Sequence, residues 1–441
     1  MVDLVRIGGI LRAERRKLGK SIERLAEEIA LGGTTISLIE RGMPTVSLEK
    51  YQYYAETLGK GILFGMVNEA DKKIIALKEQ LEDIEEILLA NPEKAFDDLK
   101  KLNQEEQIES IPILQPFFYH IESKYHLRKK ELGLAQDSIL QAIRIAEMQP
   151  ELMVDNLISR CYLDLGVVYY HRDQFYQALH YTKKGLECYV EHENHGFYYS
   201  LLLLNKSIYL ERLNLLEKSI LCLEVLENHL QNNLSIEKEF RMSVIIQMYT
   251  IYASVLNKLR MNERALDHAK KGIRLAKINK SYHFLFTLWT QTAIIYESLG
   301  DLAKAERYYR KTLDLEISLQ GKEHLFPFAF VNFAKLLIGK QQWKDAKQLI
   351  KQSVQICRKN NDNFQLVQSL LVFGEWYIQQ DKYNQAVPLC LEAEALAKEY
   401  TFEELVNKSI SSLCTCYDAL QDNGNFLKYA TKLYRIERGV S

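Results

Sequence analysis

The chain has 441 residues, 47% of them hydrophobic and 26% charged, with only 7 prolines and 20 glycines. That length exceeds one ordinary core, the apolar fraction excludes a disordered chain, and the scarcity of proline and glycine excludes a fold of many short strands. A formal net charge of −1 excludes a uniformly nucleic-acid-coating protein, and no run of about 18 uncharged apolar residues offers a membrane span.

The seven cysteines are scattered singly apart from Cys414 and Cys416. An odd number without metal or disulfide spacing reads as free, mostly buried thiols in a reducing compartment. With no apolar signal core at the N-terminus, the expected location is the cytoplasm and no membrane partner is expected.

Residues 1–60 hold 10 Lys/Arg against 8 Asp/Glu, and the remainder holds 47 against 50. A small basic head on a mildly acidic body suits DNA contact at the head and a different partner on the body. Within the head the text breaks into short helices. Ile7, Leu11 and Leu18 mark the first. Ser21 is a natural N-cap for the second, which carries Leu25, Ala26 and Ile29 on one face. Leu31-Gly32-Gly33 makes a tight turn. The third helix runs from Thr34 to Arg41 with Ile36 and Ile39 inward, and Gly42 ends it by taking a left-handed cap. Pro44 blocks continuation, and Ser47 caps a fourth helix with Leu48, Tyr51, Ala55 and Leu58 inward.

The string SIERLAEEIALGGTTISLIERG, within residues 5–60, resembles the Cro/repressor (Xre) type of helix-turn-helix. That resemblance implies a third helix in the DNA major groove and phosphate contacts from the first helices. By position, Gly33, Thr34, Thr35, Ser37 and Leu38 face DNA, with Arg12, Arg15, Arg16 and Arg41 toward phosphates. Several positions depart from the pattern. Ile22 replaces the usual polar opener of the second helix, Ala30 replaces its closing glycine, and no Arg or Gln is poised for a bidentate base contact. Specificity then rests on dimer spacing, DNA shape or a few weak contacts.

Residues 61–72 read as a short semi-rigid linker, and 73–441 as helix after helix. The segment YLDLGVVYYHRDQFYQALHYTKKGL (162–186) looks like a tetratricopeptide repeat, in which small residues let two antiparallel helices approach closely. Related units follow at 253–272, 293–312, 334–353 and 374–393. The small residues opening each second helix are Ala178, Ser219, Ala265, Ala305, Ala346 and Ala386, with successive spacings of 41, 46, 40, 41 and 40. The standard period is about 34, so each helix is expected to be about one turn longer. Weaker pairs at 73–103, 111–148 and 402–436 bring the array to eight or nine pairs. The expected fold is all-α: the helix-turn-helix head followed by a right-handed solenoid whose concave face is lined by the first helix of each pair.

Fourteen residues before each small residue stand Asp164, Asn205, Ile251, Gln291, Asn332 and Val372. Three are amides, and an amide offers both a donor and an acceptor, enough to clamp the backbone of an extended peptide without reading its sequence. Arg160, Gln247, Asn257, Lys335 and Gln368 complete the candidate peptide-binding set.

Xre-like head plus long repeats resembles the RRNPP family of Gram-positive quorum-sensing regulators, most closely its NprR-type members. The resemblance implies binding of a short signalling peptide, held through asparagines of first helices as Asn205 and Asn332 would do, and a homodimer on double-stranded DNA. Rap-type relatives imply another possibility: docking of a phosphorelay response regulator with little or no DNA binding. No phosphate-cradling glycine loop, zinc-protease signature, paired CxxC or GxSxG is present, so binding rather than catalysis is expected and no cofactor is called for. His192, Glu193 and His195 share one short segment, which rarely supplies a complete metal site.

Overall fold

A computed structural model describes residues 4–61, 69–149, 156–190, 196–232 and 238–437. It is 83% helix, with 22 α-helices and, among the described residues, no strands. The chain divides into two compact units, one of Met1–Val168 with Lys184–His192, the other of Tyr169–Lys183 with Glu193–Ser441.

The first unit opens with four short helices, α1 (Leu4–Lys17), α2 (Ile22–Glu28), α3 (Gly33–Glu40) and α4 (Leu48–Thr57). Ser21 accepts a hydrogen bond from the Arg24 amide and so satisfies one of the free donors at the start of α2. Leu11, Leu25, Ile36, Ile39, Tyr51, Tyr54 and Ala55 close a small core. Two leucines of the expected helices, Leu18 that marks the first and Leu48 read as inward, lie outside. Leu18 falls beyond the end of α1, where the chain turns left-handed at Gly19, and is 51% exposed; Leu48, first residue of α4, is 44% exposed. Ser47 holds the N-cap position of α4 but makes no side-chain capping bond.

Glycines set the approach of α1 to the end of α3. Gly42 has φ +73°, and a Cβ there would lie 2.2 Å from the Val5 Cα; one on Gly8 would lie 2.3 Å from the Ile39 carbonyl oxygen. Both obstacles are backbone, so neither yields cheaply. Gly42→Ala is expected to destabilise the head by about 2–4 kcal/mol, adding left-handed strain to overlap with α1. A thermal melt of the head's own transition checks this; an unchanged midpoint would contradict the close approach.

Of the expected linker, residues 62–68 lie outside the described part, and α5 (Glu69–Ala90) already begins inside its expected bounds. α6 (Pro92–Glu106), α7 (Gln115–Arg128) and α8 (Leu132–Glu147) continue the first unit. Then come α9 (Leu157–His171) and α10 (Phe175–Cys188). The second unit goes on as α11 (Gly196–Arg212), α12 (Leu216–Asn232), α13 (Lys238–Lys258), α14 (Asn262–Ile278), α15 (Tyr282–Ser298) and α16 (Leu302–Leu313). It ends with α17 (Phe326–Gly339), α18 (Trp343–Asn360), α19 (Asn363–Ile378), α20 (Tyr383–Glu399), α21 (Glu403–Ala419) and α22 (Asn423–Glu437). From α5 onward these make nine pairs.

The repeat reading rests on buried small residues, and all six are fully buried: Ala178, Ser219, Ala265, Ala305, Ala346 and Ala386 are each 0% exposed. The tight turns within the pairs keep the same beat. Asp173, Asn214, Arg260, Gly300, Gln341 and Asp381 each take a left-handed backbone between the two helices of a pair. Within the second unit first helices also pack on the next first helix, α11 on α13, α13 on α15, α17 on α19 and α19 on α21. Successive second helices do not pair in this way, so the first helices form the inner layer and the second helices the outer one. All seven cysteines are free and five are buried. No described helix is long and apolar enough to cross a membrane.

Candidate functional site

In the head, Glu40 at the end of α3 is the electrostatic centre. It is 3% exposed, and its carboxylate accepts from Arg15 Nε at 2.6 Å, from an Arg15 terminal nitrogen at 3.0 Å and from the Tyr54 hydroxyl at 2.7 Å. Arg12 approaches the same carboxylate at 3.4 Å. Burial alone would raise the Glu40 pKa, but the bonds from Arg15 and Tyr54 and the charges of Arg15 and Arg12 outweigh it and hold the group below the ordinary carboxylate range. Arg15 also donates to the Lys20 carbonyl and is 7% exposed. It is therefore committed to the interior, and the phosphate contact expected of it is withdrawn.

The remaining expected DNA contacts are distributed as follows. Arg16, Thr34 and Arg41 are exposed, and Arg41 donates back to the Ser37 carbonyl. Arg12, Gly33, Thr35 and Ser37 are half-buried. Leu38 packs partly against the head core, which takes away most of its reach toward a base. The exposed edge of α3 thus offers short hydroxyls and no long planar side chain.

In the first unit a second charged cluster ties α5, α7 and α9 together. Arg160 reaches both oxygens of Glu85, at 2.7 and 2.5 Å, and Lys124 reaches one of them at 2.5 Å. His120 Nε2 and Asp164 Oδ2 stand 3.0 Å apart nearby. Arg160, read from sequence as a groove residue, is 7% exposed and engaged by Glu85; its peptide-binding role is withdrawn.

The second unit carries an open cavity of about 770 Å³. Residues 173–177 and 212–214 form one side, and Phe364, Gln368, residues 401–405, Asn407 and Lys408 the other. Its aromatic floor is continuous: Phe175 meets Phe364 edge-on at 6.2 Å, and Phe364 meets Phe402 at 5.2 Å. Arg212 lies 5.0 Å over the Phe364 ring and donates to the Tyr170 hydroxyl at 3.2 Å. Asp173 faces this cation. Burial, then the neighbouring charge of Asp362, pushes the Asp173 carboxyl up to about 7 against the pull of Arg212. An apolar floor, a stacked guanidinium, a poised carboxylate and the amides of Gln368 and Asn407 suit a short peptide: side chains on the aromatics, backbone and termini on the polar groups.

The proton balance of Asp173 gives a sign. Unfolded, the group titrates near 3.8; folded, near 7. Between those values the folded state holds the extra proton, so the contribution of Asp173 to this unit's stability falls as pH rises from about 4 to about 7 and levels off above. The melting temperature of Asp173→Asn should therefore gain on that of the wild type as pH rises through this range. An equal pH slope in the variant would show that Asp173 does not titrate there.

Of the eight residues read from sequence as peptide contacts, Gln368 alone lines the cavity. Lys335 is exposed yet dehydrated by surrounding helices, which lowers its pKa against the pull of Glu375 and alongside Lys408 of the cavity wall. Asn205 and Gln247 are half-buried on the inner helices. Asn332 donates to the Phe328 carbonyl of its own helix at 2.7 Å, and Gln291 is 8% exposed. The Asn257 side-chain oxygen is buried without a partner. Ile251 and Val372, which share the register of Asn205 and Asn332, are 6% and 3% exposed, so that register points between helices rather than into an open groove. Arg212 and Phe364 were missed. Arg212 is the last residue of α11 and Phe364 the second of α19, and nothing in their local sequence marks them as neighbours. The His192, Glu193 and His195 segment lies outside the described residues.

Fold and cavity together define a tetratricopeptide-like helical-pair solenoid behind a four-helix head. No family model matches the chain, and no curated protein matches its sequence. Solved structures do match its fold. A Rap protein complexed with competence and sporulation factor aligns with TM-score 0.59 at 14% identity, covering 83% of this chain and 98% of that one. NprR in complex with its cognate peptide NprX aligns at 0.53 and 15%, covering 78% and 98%. The apo form of the quorum sensor NprR from B. thuringiensis aligns at 0.51 and 11%, covering 88% and 98%.

Proposed function

We propose that this chain is a peptide-responsive transcription regulator of the RRNPP type, most like NprR, acting in the cytoplasm as a homodimer and by binding rather than catalysis. The head (1–60) contacts double-stranded DNA, and the repeat domain (73–441) holds a short signalling peptide. The observation that carries this reading is the cavity beside Arg212, Phe364 and Gln368, inside a solenoid whose fold is shared with a Rap protein and an NprR each solved with a bound factor or peptide. Peptide binding shifts the protein between forms only by its difference in affinity for them, so the cavity must differ between DNA-bound and free states.

The test is a fluorescence-anisotropy titration on DNA from upstream of the chain's own gene, with and without short peptides encoded nearby. Competitor-resistant binding that one peptide alters supports the reading. Sequence-blind binding indifferent to every peptide sinks it.

One observation favours a second reading. The exposed edge of α3 offers Thr34, Thr35 and Ser37 but no long base-reading side chain. A head so equipped suits a Rap-like protein that docks a response regulator through its helical pairs. Retention of a response regulator on the immobilised chain, with no specific operator recovered by in vitro selection, would favour it.

A further inference from the structure

We infer that the outer face of α14, α16 and α18 is a second DNA-contacting surface that grips the sugar-phosphate backbone without reading sequence. These three second helices carry 14 Lys/Arg against 4 Asp/Glu, a net of +10 in a chain whose total is −1, so the remaining residues sum to −11. The excess is local. The second helices on either side, α12 and α20, each carry a net of −2. The first helices α15, α17 and α19 between them hold only Glu297, Lys335 and Glu375. Charge of one sign gathered on one layer of three consecutive repeats sets up a field that spread charge would cancel.

Some of these cations have internal duties: Lys271, Lys304, Arg310 and Arg358 pair with Asp267, Asp301, Glu306 and Glu392, and Lys347 lies over the Trp376 ring, whereas five others are free. Lys270, Arg274, Arg307, Lys344 and Lys351 are exposed and form no ion pair among the described residues (Lys311 is half-buried, lying over the rings of Trp289 and Tyr308). Lys270 and Arg274, and Lys347 and Lys351, are four apart on their helices, a spacing at which like charges weaken the helix. An external polyanion relieves that repulsion.

The face favours nucleic acid over an acidic protein or a membrane because it lacks anchors. Protein interfaces and bilayers take apolar side chains, aromatic ones above all. Among the described residues, the only large exposed hydrophobics on these helices are Ile278 and Leu302, each at a helix end. Backbone phosphates need only cations and released counterions.

The inference does not depend on the head. The probe is a fluorescein-labelled duplex of arbitrary sequence, titrated with the full chain over a salt series. Reversal of Lys270, Arg274, Arg307, Lys344 and Lys351 to Glu is expected to weaken low-salt binding by more than about tenfold. The slope of log K against log salt should flatten by about 3–5, at ~0.9 per lost phosphate contact. The same five positions changed to Gln should shift both in the same direction by less, and unchanged circular dichroism excludes unfolding, since all five side chains are exposed. A head variant, Thr34→Ala with Thr35→Ala, should lose sequence preference while keeping this binding. Unchanged affinity and slope in the reversal variant overturn the inference. So does loss of arbitrary-sequence binding in the head variant alone, which leaves the head reading standing. Displacement of the duplex by polyglutamate as readily as by unlabelled DNA of equal charge overturns it in favour of an acidic protein.

Discussion

Glu40→Ala should unfold the head at temperatures where the repeats remain folded, at a cost of about 3–5 kcal/mol. The magnitude follows from what is left behind. Arg15 would keep a buried guanidinium, 7% exposed, with only the Lys20 carbonyl and no counter-charge. The Tyr54 hydroxyl, fully buried, would lose its acceptor. Truncating one partner of a buried pair costs far more than the pair contributes, because the surviving charge has neither water nor a partner. Glu40→Gln should fall in between, since an amide still accepts one hydrogen bond but carries no charge.

Acid should mimic the mutation. Folding lowers the Glu40 pKa from its ordinary 4.5, so the stability it confers is complete above about 4.5 and drains away as pH falls through the lower folded value. Hydrogen exchange of residues 4–61, read against the repeats of the same molecule, separates head unfolding from global unfolding. Equal protection of the head in wild type and Glu40→Ala would remove Glu40 from its central place.

Arg212→Ala is expected to weaken peptide binding about 10- to 100-fold, the loss typical of a central stacked arginine. Arg212 is one of two cations lining the cavity, with Lys408, and its guanidinium lies over the Phe364 and Tyr170 rings while donating to the Tyr170 hydroxyl. Arg212→Lys should therefore restore little, because an ammonium keeps the charge but neither the stacking nor the forked donors. Gln368→Ala, which removes one neutral amide from the wall, should cost less than about tenfold. Isothermal titration with the tightest of the nearby-encoded peptides measures all three. Undiminished affinity in Arg212→Ala would place the peptide elsewhere on the inner layer.

Much of the architecture was legible in the residues alone. Small residues recurring at 40–46 positions found the second helices because only a small side chain fits where two helices cross, and all six are fully buried. Ser21, Ile36, Ile39 and Gly42 were readable for the same kind of reason: each solves a local problem of capping, burial or turning that neighbouring sequence already poses. What sequence could not supply was the partner of each polar group. Arg15 and Arg16 are adjacent and look alike, yet one is sealed against Glu40, 25 residues away, and the other is exposed. Arg160 looked like a groove cation until Glu85, 75 residues earlier, claimed it. The cavity escaped for a like cause. Phe175 and Phe364 come from helices far apart in the chain and meet only through the packing of the intervening repeats. Burial and turning are fixed by local spacing, so the sequence determined them; charge pairing and cavity walls depend on which distant surfaces the stacked helices bring within a few ångströms, and the tertiary structure decided those.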